Sequence, residues 1–176
     1  MRKIPAPPIV VFALLALTVS ALGVLAANWV GELRLGDFRA ISMLIVGCAT
    51  AYLLAIAAYR LFLWLMPLHE GVIAEGSTAE FRYNVHLLFH FFFFHPVIRS
   101  NILPVPLMRP FYLALGARLG ENTYSPGPIF DSPLTEIGDN TIIGHDAIIA
   151  CHMVQGAVSY THLLGPGAWL LSRCPK

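Results

Sequence analysis

The chain has 176 residues, of which 57% are apolar and 12% charged, against about 25% charged in an average soluble domain. This is the balance of a membrane protein. Eleven Lys and Arg against ten Asp and Glu leave a formal charge of +1, which excludes the basic footprint of a nucleic-acid binder and the charge excess of a disordered chain.

Between Ile4 and Gly31 no residue is charged. A bilayer core of roughly 30 Å takes about 20 apolar residues in a helix, so Ile9 to Val30 is expected to span once. A signal peptide is the rival reading, since Met1-Arg2-Lys3 precedes the segment and Val24-Leu25-Ala26 offers a small-residue cleavage site. The apolar run is, however, longer than the roughly 7 to 15 residues of a signal h-region. A second charge-free run, Ala40 to Tyr59, continues past Arg60 as far as Met66 and can cross with tilt while Arg60 snorkels to the interface. Trp29 and Trp64 fit interfacial anchors, and Glu32 to Arg39 a short hairpin loop. Arg2 and Lys3 precede the pair, Arg34 and Arg39 lie between, and Arg60, Arg82, Arg99 and Arg109 follow. That distribution favours both ends on the cytoplasmic side. Neither span carries the internal carboxylate or broken-helix pattern of a small transporter. Cys48, Cys151 and Cys174 are too few and too scattered for a disulfide framework or a CxxC zinc site, and read as reduced.

Residues 68–112 form a juxtamembrane unit. Ser77-Thr-Ala-Glu80 has the capping-box pattern, which predicts a helix from Thr78 to His95 that Pro96 stops. Arg82, His86 and His90 make a narrow polar stripe, and Phe81, Val85, Leu88, Phe89 and Phe92 an apolar face. A helix so apolar is expected to lie in the membrane interface. His86, His90 and His95 also have spacings compatible with metal ligands, but HExxH is not present, and a polar stripe accounts for the spacing. Four prolines between Pro96 and Pro110 predict an extended lead-in rather than a helix.

The segments Leu119-Gly-Glu-Asn-Thr-Tyr124 and Ile137-Gly-Asp-Asn-Thr-Ile142 are near copies 18 residues apart, and Ile143-Gly-His-Asp-Ala-Ile148 follows in the same register. Eighteen is three hexapeptides, one coil of a triangular solenoid in which residues 18 apart stack. Leu119 over Ile137 would fill the interior. Thr123, Thr141 and Ala147 are small where the tube is narrow, and Gly and Asn suit its turns. Ordinary strand alternation explains the apolar spacing but not the 18-residue copy.

These repeats resemble the hexapeptide-repeat acyltransferases with a left-handed parallel β-helix. The likeness is greatest to membrane-attached bacterial members, in which transmembrane helices precede a segment like Arg109-Pro-Phe-Tyr-Leu-Ala-Leu-Gly-Ala-Arg-Leu-Gly120 and one like Asp131-Ser-Pro-Leu-Thr-Glu-Ile-Gly-Asp139 follows. Similar regions end some non-ribosomal peptide synthetases. The resemblance covers residues 109–155 and specifies fold more tightly than substrate.

The resemblance implies acyl transfer, with acetyl as the favoured group, from acyl-CoA (acetyl-CoA) or a carrier thioester to a sugar or other small hydroxyl acceptor. It also implies a homotrimer with sites between neighbouring coils and a histidine general base. His152, in Ile149-Ala-Cys-His-Met-Val-Gln155, resembles the position of that base; His145, in a free position of its hexapeptide, is the alternative. Asp131 is placed either to orient a histidine across one coil or to satisfy a turn. No bound cofactor or metal is expected, and no nucleic-acid partner. Residues 113–155 hold Arg118 against Glu121, Asp131, Glu136, Asp139 and Asp146, so any cradle for coenzyme A phosphates must come from elsewhere. The carbonic-anhydrase branch of the fold uses three histidines, and the repeats hold two.

After Gln155 the period lapses, and Val158-Ser-Tyr-Thr-His-Leu163 resembles translated sequencing adapter. The expected architecture is an α-helical transmembrane hairpin (1–67), the juxtamembrane unit (68–112), a short left-handed parallel β-helix (113–155) incomplete at its C-terminus, and an unassigned tail (156–176). The chain reads as truncated or chimeric, its last coil left open at Ile143 and Ile149, and a non-catalytic membrane anchor or trimerisation module is the alternative to the enzyme. The expected location is the bacterial inner membrane, multi-pass, with the C-terminal part facing the cytoplasm.

Overall fold

The computed structural model describes residues 4–33, 36–100, 102–145 and 147–151, together with the strands at 153–155, 158–160 and 172–173. The protein is mostly helical. Two long helices, α1 (Ala6–Gly31) and α2 (Arg39–Leu65), pack as a hairpin, and both are long and apolar enough to cross a membrane. Only 17% and 6% of their most apolar stretches are buried inside the protein, unlike the core helices of a soluble domain. Small residues let the helices approach. A Cβ on Gly23 would stand 3.0 Å from both Ala51 Cβ and Gly47 O, and one on Gly47 3.1 Å from Ala27 Cβ. The seam thus pairs Gly23 and Ala27 with Gly47 and Ala51, four-residue spacings typical of close membrane-helix contacts.

Strand β1 (Val72–Ile73) leads to α3 (Thr78–Phe89). Ser77 Oγ accepts from Glu80 N at 3.1 Å, while Glu80 Oε2 accepts from Gly76 N at 2.7 Å, one residue earlier than the ordinary capping box. Proline does not stop this helix. A π-helical turn, His90–Phe94, runs directly into α4 (His95–Arg99), and the widened turn just before Pro96 accommodates its missing N–H. The lead-in is also helical rather than extended. Helix α5 (Val105–Leu115) starts with Pro106 in its first turn and tolerates Pro110 inside, because Met108, Tyr112 and Leu115 are buried in the core.

Helix α5 ends at Gly116, whose φ of 106° suits glycine. Strands β2 (Arg118–Leu119) and β3 (Glu136–Ile137) then pair in parallel, Arg118 with Glu136 and Leu119 with Ile137. The offset of 18 recurs at the parallel bridge Tyr124–Ile142 and becomes 20 at Ile129–Ile149. The near copies lie on one another. Asn122 and Asn140, with φ of 53° and 55°, share a 3.1 Å side-chain hydrogen bond. Thr123 is fully buried and donates to Gly138 O at 2.6 Å, and Leu119 and Ile137 are 7% and 2% exposed. Ala147, expected inside, is exposed, since no coil stacks over it among the described residues.

Beyond Cys151 the pairing turns antiparallel. Strand β5 (Val158–Tyr160) joins β1 and β4 (Met153–Gln155), and β6 (Ser172–Arg173) covers the free edge of β3. One core, including Phe12, Tyr59, Phe89, Phe94, Tyr112 and Ile129, joins the hairpin, α3 to α5 and the coil.

Candidate functional site

Asp131 precedes the 3-10 turn Ser132–Leu134 at the bend of the coil, and its side chain is completely buried. Its Oδ2 accepts from Cys151 N at 2.9 Å, 20 residues along the chain, and its Oδ1 accepts from Tyr83 Oη at 3.4 Å. His86 Nε2 lies 3.4 Å from the same Oδ1, an ion-pair distance whose geometry falls short of a hydrogen bond. On the other side of the ring, His86 Nδ1 and Tyr59 Oη are 2.7 Å apart. A carboxylate only accepts, so the His86 nitrogen facing Asp131, Nε2, is the one that carries a proton there, while Nδ1 shares a hydrogen bond with Tyr59. The result is a relay, Tyr59–His86–Asp131, from α2 through α3 to the coil.

Thr135 reinforces the bend by donating to Asp131 O at 2.9 Å. Burial first, then the neighbouring Asp131 carboxylate, hold the Tyr83 hydroxyl well above the usual phenol range, so it remains a donor. Burial, and secondarily Arg99, push the His95 imidazole below its ordinary value. The His90 ring packs on Phe130 of the coil, with centroids 5.0 Å apart, and His95 on the same ring at 5.7 Å. These contacts make the histidine stripe the packed side of the helix, whereas the sequence suggests a polar face turned outward. Among the described residues no three His, Cys, Asp or Glu side chains converge as a metal site.

Three further contacts fix the coil to the helices. Arg109 donates through Nη2 to Gly120 O at 3.1 Å, and Tyr112 Oη donates to Gly127 O at 2.8 Å. Burial raises the Tyr112 hydroxyl to about 12 despite its bond with Ile129 N–H. Arg60 is exposed, but its Nη1 stands 2.8 Å from where a Cβ on Gly116 would be, so it lies over the C-terminal end of α5.

His145 is exposed in a turn after the Tyr124–Ile142 bridge. His152 lies outside the described residues. Cys48 is a free, exposed thiol, while Cys151 is disulfide-bonded rather than reduced. Asp131 does meet a histidine, but it is His86 rather than one in the repeats. Tyr59, Tyr83 and His86 were not singled out as its partners, and the available signal was polar groups recurring in otherwise apolar helices.

The relay has acid–base parts but little room. Tyr59, Tyr83, His86 and Asp131 are 1%, 6%, 1% and 0% exposed. The cavity beside Tyr83, lined by Leu68, His69 and Arg82 among others, measures about 20 Å³, space for a single water. As arranged, the network holds elements together and gives no berth to a sugar or an acyl chain. No protein-family profile, curated protein or solved structure matches the chain.

Proposed function

We propose that the protein is a membrane-bound acyltransferase of the hexapeptide-repeat type, a left-handed parallel β-helix held at the cytoplasmic face of the bacterial inner membrane by a two-span hairpin. The observation that carries the reading is the 18-residue parallel offset of Arg118–Glu136, Leu119–Ile137 and Tyr124–Ile142, joined through one core to two helices of membrane-spanning length. The reaction is transfer of an acyl group, most simply acetyl, from coenzyme A or a carrier thioester to a hydroxyl of a sugar or other small acceptor. His152 takes the hydroxyl proton as the oxygen attacks the thioester carbonyl; the C–S bond breaks and the thiolate leaves, regaining a proton. His145 is the alternative base. A homotrimer would place each site between neighbouring coils.

The test is release of free coenzyme A thiol from acetyl-CoA by protein in detergent, with and without sugar acceptors. Acceptor-dependent release that falls by about 10² or more in His152→Ala, with His145→Ala little changed, supports the reading. Undiminished release in His152→Ala removes that residue from the role, and absence of transfer in the trimeric protein removes the enzyme.

A second reading, a non-catalytic membrane anchor or trimerisation module, draws on the enclosed Tyr59–His86–Asp131 relay. It predicts a stable trimer without thiol release.

A further inference from the structure

The helical stretch between hairpin and coil is inside out for water. His86 and His90 are each 1% exposed, whereas Phe91 and Phe92 are 50% and 68% exposed. The turn beyond and α5 add Ile102, Val105 and Leu107 at 78%, 43% and 50%. A helix in water turns such a face toward its core. In hydrocarbon the order reverses, because ionisable side chains face protein and apolar ones face lipid.

The stretch also touches the long helices within their length rather than beyond their ends. Phe12 of α1 meets Phe89, Phe92 and Phe93 at centroid distances of 5.3, 5.3 and 6.1 Å. Phe93 meets Tyr52 of α2 at 6.4 Å. Tyr52 lies 13 residues from each end of α2 (Arg39–Leu65), about 20 Å along the axis. A helix resting on the water-side end of the hairpin would not reach that ring. Phe92 both contacts Phe12, its ring tilted at 49°, and is largely exposed, so the apolar surface of the hairpin extends onto this stretch. From Thr78 to Arg99 the backbone runs in α, π and α turns in succession, which pair most of its backbone groups internally, as immersion in lipid requires.

We propose that the C-terminal half of α3, the π turn, α4 and the start of α5 form a third membrane element, immersed in the acyl chains of the leaflet on the coil's side, with Phe91, Phe92, Ile102, Val105 and Leu107 against lipid. This rests on the reading that α1 and α2 cross the bilayer. The element does not cross; it wedges beside the hairpin and holds the first coil against the membrane surface, with Arg99 reaching the headgroups.

The test uses the full chain with Trp29, Trp64 and Trp169 replaced by Phe, and a single tryptophan introduced as Phe92→Trp, as Leu17→Trp in the middle of α1, or as Ile142→Trp on the coil. Each variant is reconstituted in vesicles of phosphatidylcholine and phosphatidylglycerol carrying brominated acyl chains. Bromolipid quenching of Phe92→Trp within about twofold of Leu17→Trp, with weak acrylamide quenching, is expected for a face sunk among the acyl chains beside the middle of the hairpin. Acrylamide quenching of Phe92→Trp equal to that of Ile142→Trp, with Leu17→Trp still quenched by bromolipid, overturns the wedge and leaves the hairpin standing. Protection of Phe92→Trp from both quenchers means that another protein surface covers the face, and also overturns it. Acrylamide access at Leu17→Trp as well removes the spanning hairpin itself.

Discussion

Tyr59, six residues before the end of α2, and His86, within α3, share a 2.7 Å hydrogen bond with both side chains 1% exposed. Through the 3.4 Å contact of His86 with Asp131, this bond joins the second long helix to the coil. Both side chains and Asp131 are buried, so each gains from a protein partner, and loss of one leaves its neighbours less satisfied.

Asp131 is where that dependence is greatest. Asp131→Ala leaves Cys151 N–H and Tyr83 O–H without their buried acceptor, and a loss of about 3 kcal/mol is expected from two such groups. Asp131→Asn keeps one carbonyl oxygen for Cys151 N–H and should lose about half as much. Thermal unfolding in detergent measures both; equal stability of Asp131→Ala and the parent protein contradicts the network.

Gly116 carries two demands, a φ of 106° and a position where a Cβ would meet Arg60 Nη1 at 2.8 Å. Gly36, with a φ of 56°, has nothing within 4 Å of its Cβ position. Both alanine variants should cost about 1 kcal/mol for the left-handed backbone, and Gly116→Ala more, because Arg60 must leave the end of α5. A lower melting temperature for Gly116→Ala than for Gly36→Ala is the expected result.

The long helices, the capping serine and the 18-residue copy were legible because each is a local or strictly periodic signal: absence of charge, Ser77 three residues before Glu80, Asn122 repeated at Asn140. The sense of the histidine stripe was not. A helix with His86 and His90 on one side has the same periodicity whether that side faces water or a partner, and the carboxylate that decides it lies beyond α5, 48 residues from Tyr83. The prolines misled for a related reason. Pro96 follows a π turn and Pro106 occupies a first turn, which only the helix boundaries reveal, and Pro110 is tolerated because buried neighbours outweigh its lost bond.

The close seam of the hairpin predicts that Gly23→Val drives α1 from α2, since a Cβ there already stands 3.0 Å from Ala51 Cβ. A cost of about 2 kcal/mol is typical of overpacking. Faster hydrogen exchange along α1 reads it out, with Gly138→Ala, whose Cβ position is open, as the unaffected control.

Tyr112 gives the fold a weak point at high pH. Its hydroxyl is raised to about 12 from 10.0, so the folded state holds that proton more tightly than the unfolded chain. The stabilisation is therefore complete below pH 10 and lost between 10 and 12, amounting to about 3 kcal/mol at most. Tyr112→Phe should flatten the fall in stability across that window, measured by unfolding at stepped pH; an unchanged slope assigns the fall to other groups.

The near-copy segments pair in parallel 18 residues apart beside the two long apolar helices. Arg118 and Glu136 are directly opposed in the parallel pair, with Nη1 and Oε2 3.4 Å apart, so Arg118→Cys with Glu136→Cys places two thiols on neighbouring strands at bridging distance. The direct measurement is mild oxidation of this double variant, in a Cys48→Ser background and reconstituted in vesicles, followed by peptide mapping. A disulfide between positions 118 and 136 is expected, and little between 118 and 139 when Asp139→Cys replaces Glu136→Cys. Bridging at 139 but not at 136, or at neither, contradicts the stacked coil.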